Sequence, residues 1–172
     1  MTKQNPATLE WAELEEHIRS LRRFAHALVG NASDADDLVQ ETLKRAVTYL
    51  QDGREIDNLR SYLLTLLHNA RMDGLRRQAR HPEVFDEEAT LNLSQPAAQL
   101  DHLLYREVTE CIAELPEEQR EVLLLVGLEG MSYKDSAEIL GVPIGTIMSR
   151  LSSARSALLE RVEEPPLRRA SS

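Results

Sequence analysis

Residues 132–158 read SYKDSAEILGVPIGTIMSRLSSARSAL. Ser132 followed by Asp135 is a capping box, and it opens a short helix carrying Ala137, Ile139 and Leu140. Gly141 supplies a tight turn, Pro143 sits where it can only precede or begin a helix, and the spacing predicts a longer helix from Ile144 to about Val162. In that helix Ile147, Leu151, Ala154 and Leu158 recur at helical period and form a buried stripe. Short helix, glycine turn, longer helix is a helix-turn-helix pattern.

The same reading extends in both directions. Upstream, Leu100, Leu104, Val108, Cys111 and Leu115 share helical spacing, and Pro116 starts a helix over Glu117 to Leu128 that Gly130 ends. Before that module, residues 81–100 hold Pro82, Pro96 and the acids Glu83, Asp86, Glu87 and Glu88 with no sustained period, which predicts a linker. Residues 1–80 predict three further helices. Leu9, Leu14, Ile18, Leu21, Ala25 and Leu28 line the first, which stops at Gly30-Asn31. The second is expected to start at Ser33, capped with Asp36, and to turn Val39, Leu43, Ala46, Val47 and Leu50 inward. Leu59, Leu63, Leu66, Leu67 and Ala70 line the third. The chain is therefore expected to be all-α: a helical domain over 1–80, a linker over 81–100, a second over 101–163 and a tail over 164–172.

Composition narrows the function classes. The 172 residues are 42% hydrophobic but only 4% aromatic, with 7 Gly and 7 Pro, too few for a hairpin-rich sheet protein. Cys111 is the single cysteine, which excludes a disulfide framework and any multi-thiolate zinc site. No apolar run reaches bilayer-spanning length and the N-terminus lacks a signal-peptide core, so an intracellular protein is expected. Asp34, Asp36 and Asp37 suit a helix N-terminus better than a calcium loop, and the five histidines lack metalloprotease spacing. With no phosphate-binding glycine loop and no nucleophile elbow, neither an enzyme nor a cofactor or metal site is expected.

The formal net charge is −9. An unaided nucleic-acid binder shows a basic footprint, and the chain as a whole lacks one. Locally it is different: Arg60, Arg71, Arg76, Arg77 and Arg80 are opposed by Asp73 alone over residues 60–80. Some of that excess complements a helix C-terminus, but a cap does not require five arginines. In the last helix Thr146, Ser149, Arg150 and Ser153 are read as one face, where hydroxyls and a guanidinium suit a major groove.

Four stretches in order, DADDLVQETLKRA (34–46), NLRSYLLTLLHNARMDGLRR (58–77), ELPEEQREVLLLVGLEGMSYKDSAEILGV (114–142) and PIGTIMSRLSSARSAL (143–158), resemble the extracytoplasmic-function sigma factors of bacterial RNA polymerase. The resemblance implies two helical DNA-binding domains, promoter recognition and no chemistry by the protein itself. It implies docking on the β′ clamp helices through Asp37, Leu38, Val39, Gln40, Glu41 and Arg45, and a second contact with the β flap. The loop Gln51 to Asn58, with Arg54, matches the segment that captures a flipped −10 base, and Asn69, Arg76, Arg77 and Arg80 would hold the adjacent DNA. Extruding a base costs a few kcal/mol, which a pocket must offset. The −35 element would meet Thr146, Met148, Ser149, Arg150, Ser153 and Arg155. Many relatives carry a basic residue where this chain has Met148, and an arginine where it has Ser153; Tyr62 stands where tryptophan is common. Many relatives are also held by an anti-sigma factor. Two other readings are a dimeric helix-turn-helix regulator, which leaves the first two stretches unexplained, and a protein-binding adaptor or decoy for sigma regulators.

Overall fold

Glycine, proline and polar caps divide the chain into the helices seen in the computed structural model, which describes residues 11–52, 56–80 and 109–163. In order these are α1 (Trp11–Val29), α2 (Ala32–Gln51), α3 (Leu59–Arg80), α4 (Glu117–Leu123), α5 (Tyr133–Leu140) and α6 (Ile144–Glu163), with residues 109–113 also helical. No strand occurs among the described residues. The chain separates into two compact units, one within Met1–Leu93 and the other within Ser94–Ser172. Leu100, Leu104, Val108 and the acidic segment lie outside the described residues.

In the first unit α1, α2 and α3 all pack on one another. Leu21, Phe24, Ala25 and Leu28 of α1 meet Ala35, Val39, Thr42 and Ala46 of α2 and Leu63, Leu64, Leu67 and Ala70 of α3 in one buried core. Two expectations are corrected here. The cap of α2 is Asn31, whose Oδ1 accepts from the Asp34 amide at 2.8 Å; Ser33 lies inside the helix. The inward stripe of α2 is Ala35-Val39-Thr42-Ala46, a helical phase in which Val47 and Leu50 fall to the side and stay 52% and 39% exposed. Thr42 can be buried because its hydroxyl donates to the Leu38 carbonyl at 2.7 Å.

The second unit is assembled around α6. Ile147, Leu151 and Ala154 are fully or almost fully buried against α4 and α5. An apolar run from Val122 to Val126 is too wide for one stripe of an ideal helix, and α4 continues as a π-helical turn over Leu124–Leu128, closed by Glu129 N–H to Leu124 O at 3.0 Å. Gly130, at φ +62°, lets the Met131 amide reach back to Leu125 O at 2.9 Å. Ser132 caps α5 as expected: its Oγ accepts from the Asp135 amide at 3.0 Å and donates to the Asp135 carboxylate at 2.7 Å.

Two arginines pin the segment before α4. Arg120 donates to the carbonyls of Ile112, Ala113 and Leu115, satisfying the open end of the helical stretch over 109–113. Arg161 reaches from the end of α6 to the Cys111 carbonyl at 3.2 Å and the Glu114 carboxylate at 3.2 Å.

Candidate nucleic-acid and protein interfaces

The turn between α5 and α6 fixes the exposed helix. Gly141 adopts φ +62°, a left-handed conformation that glycine alone enters without steric cost, and the Val142 amide closes on Ala137 O at 3.1 Å. Thr146 N–H bonds Pro143 O at 2.9 Å and starts α6. With Ile147, Leu151 and Ala154 facing the core, about 100° per residue carries Met148, Ser149, Ser152, Ser153 and Ser156 to the outward side, and all five are exposed.

This geometry splits the expected face. Ser149 and Ser153 point out, whereas Thr146 is half-buried and Arg150 has a side chain 24% exposed. The Arg150 guanidinium lies 2.6 Å from Glu118, so it flanks the outward surface and braces α6 against α4. The physical reason is phase: position 150 falls between the buried stripe and the exposed one. Arg155 is exposed, and Met148 is 55% exposed. Ser152 was missed by the sequence reading, although the phase of Ile147 and Leu151 already placed it outside. From Ile144 to Ala154 the outward surface carries hydroxyls and two apolar side chains, Ile144 and Met148, but no charge.

In the first unit α3 presents Asn69, Arg76 and Arg80 at i, i+7 and i+11, opposite Leu63 and Leu67, and all three are exposed. Arg77 is exposed a quarter-turn away and donates from Nε to the Asp73 carbonyl at 3.4 Å. Arg76 lies 3.7 Å from the Asp73 carboxylate. Arg54 lies outside the described residues.

On α2, Asp37, Gln40 and Lys44 are exposed and Glu41 is half-buried, all on the side away from the core. Val39, expected on that face, is 2% exposed and belongs to the core. Leu38 is half-buried. Arg45 is a bridge: Nε reaches Glu41 at 2.9 Å and Nη1 reaches Asp73 on α3 at 3.1 Å. The Arg45 hydrogen bond is the main reason the Glu41 carboxyl titrates below its ordinary value, and the Glu41 bond in turn raises Arg45. Asp73, which the sequence shows only as the lone acid among the arginines of residues 60–80, is the α3 partner of Arg45.

Among the described residues no group of three or more His, Cys, Asp or Glu side chains converges on a metal-sized site, and no helix is long and apolar enough to cross a membrane.

Known families match both units. The family model for sigma-70 region 2 matches residues 14–81, and that for sigma-70 region 4 matches residues 105–158. Two helical units of this kind, one with an arginine-bearing helix and one with a helix-turn-helix, define a sigma-70-type transcription initiation factor. The ECF RNA polymerase sigma factor EcfG of Rhodopseudomonas palustris (strain TIE-1) is 43% identical over 141 residues, covering 82% of this chain and 78% of that one. The probable RNA polymerase sigma-C factor of Mycobacterium bovis is 35% identical over 160 residues, covering 90% and 85%. In structure, the sigma factor RpoE of Bartonella quintana, solved with the anti-sigma factor NepR, superposes with a TM-score of 0.73 at 35% identity over 88% of this chain and 95% of that one. The chain belongs to the extracytoplasmic-function sigma factors. It binds core RNA polymerase and directs promoter recognition and transcription initiation.

Proposed function

We propose a division of labour between the two units. Residues 1–80 dock on the polymerase β′ clamp helices through the outward side of α2, where Asp37, Gln40 and Glu41 make contact, Leu38 borders them, and Val39 and Arg45 hold the helix in place. Asn69, Arg76, Arg77 and Arg80 hold −10 DNA beside the base-capturing loop that contains Arg54. Residues 101–163 read the −35 element through Met148, Ser149, Ser153 and Arg155, joined by Ser152, and also dock on the β flap. Thr146 and Arg150 position α6. Residues 81–100 link the two and 164–172 form a tail.

The observation that carries this reading is the separation of roles on α2 and α6. Each turns an apolar stripe into its own core and leaves a polar stripe of partner-binding chemistry exposed. The acidic balance fits a subunit whose promoter affinity is supplied largely by the polymerase, with a small phosphate contribution of its own. Under this reading the protein works in the cytoplasm and performs no catalysis. By its likeness to a sigma factor solved with NepR, it is also held by an anti-sigma factor.

Transcription in vitro with core polymerase tests the reading. The parent protein should yield promoter-specific transcripts, and Asp37→Lys combined with Gln40→Lys should lower core affinity while helical content is retained. Unchanged core affinity would sink the α2 assignment. The lack of outward charge on α6 from Ile144 to Ala154 is the one observation favouring the adaptor reading, and a chain that binds core polymerase without initiating transcription would establish it.

A further inference from the structure

Met148 stands out on the exposed surface of α6. Its side chain is 55% exposed, and Ile144, four residues earlier on the same flank, is 46% exposed. Isolated exposed apolar residues are ordinary. These two occupy the first two turns of a recognition helix, the part that reaches base edges in helix-turn-helix complexes.

The surrounding chemistry limits what that surface can read. Guanine is recognised chiefly by a bidentate arginine or lysine. Between Ile144 and Ala154 the only cation is Arg150, whose guanidinium lies 2.6 Å from Glu118, and the next one, the exposed Arg155, stands seven residues beyond Met148, two turns further along the helix. Ser149 donates its hydroxyl proton to Thr146 O at 3.0 Å, leaving its oxygen mainly as an acceptor. Within the major groove the feature complementary to an unbranched, polarizable apolar side chain is the 5-methyl group of thymine.

We propose that Met148 is a specificity-determining residue that reads a thymine methyl in the −35 element. This rests on the assignment of α6 to −35 DNA. The alternative occupant, a protein surface covering Ile144 and Met148, makes a different prediction in the same experiment.

The probe is a promoter duplex enriched by the full-length protein with core polymerase from a library randomised over the −35 hexamer. Each thymine is then replaced singly by deoxyuridine, which removes only the methyl group. At one position this should weaken binding about fourfold, the equivalent of one methylene-sized apolar contact. Met148→Ala should weaken binding to the parent duplex by a similar factor and become indifferent to deoxyuridine at that position. Met148→Arg, selected afresh from the library, should enrich guanine there. The proposal is overturned if every thymine tolerates deoxyuridine, if Met148→Ala still senses the methyl, or if the enriched element has no A·T pair. It is also overturned if Met148→Ala weakens association with core polymerase itself, the result expected of a protein-covered surface. Failure to enrich any −35 sequence would refute the α6 assignment as a whole, whereas an enriched sequence blind to methyl removal refutes only the role of Met148.

Discussion

The Arg150 guanidinium on α6 lies 2.6 Å from the Glu118 carboxylate at the start of α4. Arg150 is the one full charge in the first three turns of the recognition helix, and it is committed to holding that helix in place. The two side chains are 24% and 71% exposed, so the pair belongs to the surface class worth up to about 1 kcal/mol. Arg150→Ala and Glu118→Gln should each lower the unfolding free energy by about that amount or less, and the double substitution should cost little more than either alone. Denaturant titration of the four proteins measures this. Independent, additive losses would mean that the pair is not coupled.

A second ion network carries a pH signature. Glu41, Arg45 and Asp73 link α2 to α3, and Glu41 titrates below its ordinary 4.5 chiefly because Arg45 hydrogen-bonds its carboxylate. A carboxylate whose folded pKa is depressed stabilises the fold above its unfolded pKa, and the contribution disappears as pH falls through the lowered value. Stability of the parent should therefore fall below pH 4.5 more steeply than that of Glu41→Gln. Arg45→Ala should flatten the profile in the same direction, since it removes the main cause of the shift. Thermal midpoints across the acid range provide the comparison, and parallel profiles would exclude Glu41 as a contributor.

What could be read in the sequence, and what could not, follows from the range of the interactions. The stripes Leu21-Ala25-Leu28 and Ile147-Leu151-Ala154, the Ser132–Asp135 cap and the Gly141 turn are local patterns, and all four are present. The cap of α2 was misread because Asn31 and Ser33 are equally good capping residues; Gly30, at φ +82°, ends α1 early enough for Asn31 to serve. Thr42 was passed over for larger apolar neighbours, although its phase rather than its polarity decides its burial. The bridges Arg45–Asp73 and Arg150–Glu118 join different helices, and helical periodicity holds no information about them. Arg150 is read from the sequence as part of one face with Thr146, Ser149 and Ser153, and periodicity gives no sign of the Glu118 carboxylate 2.6 Å from its guanidinium.

Asn69 is exposed on the same side of α3 as Arg76 and Arg80, opposite Leu63 and Leu67. An amide there can bond a base edge or a sugar without adding charge. Asn69→Ala should reduce open-complex formation by roughly fivefold, the equivalent of one hydrogen bond of about 1 kcal/mol. Initial duplex binding should change little, because the neighbouring cations Arg76, Arg77 and Arg80 remain. Permanganate reactivity of −10 thymines reads the first effect and duplex anisotropy the second. Equal melting in variant and parent would remove Asn69 from the −10 surface.

Ser153 offers the converse test on α6. It lies opposite the buried Ala154–Ile147 stripe and is exposed, so an arginine placed there would have a clear path outward and no competing acid within α6 nearer than Glu160. Position 150 differs: its guanidinium is already drawn aside by Glu118. Ser153→Arg should therefore add one phosphate contact, raising −35 duplex affinity for the holoenzyme and steepening the logarithmic salt dependence by about 0.9. The substitution touches no core residue, so the unfolding midpoint should be unchanged. Charge deposited away from DNA would instead leave both affinity and slope where they were. The comparison with a second variant, Ser156→Arg, one turn further along the same exposed stripe, fixes how far the DNA extends. A steeper slope for position 153 alone places the groove over the first three turns of α6, and a matching rise at position 156 extends it to the fourth.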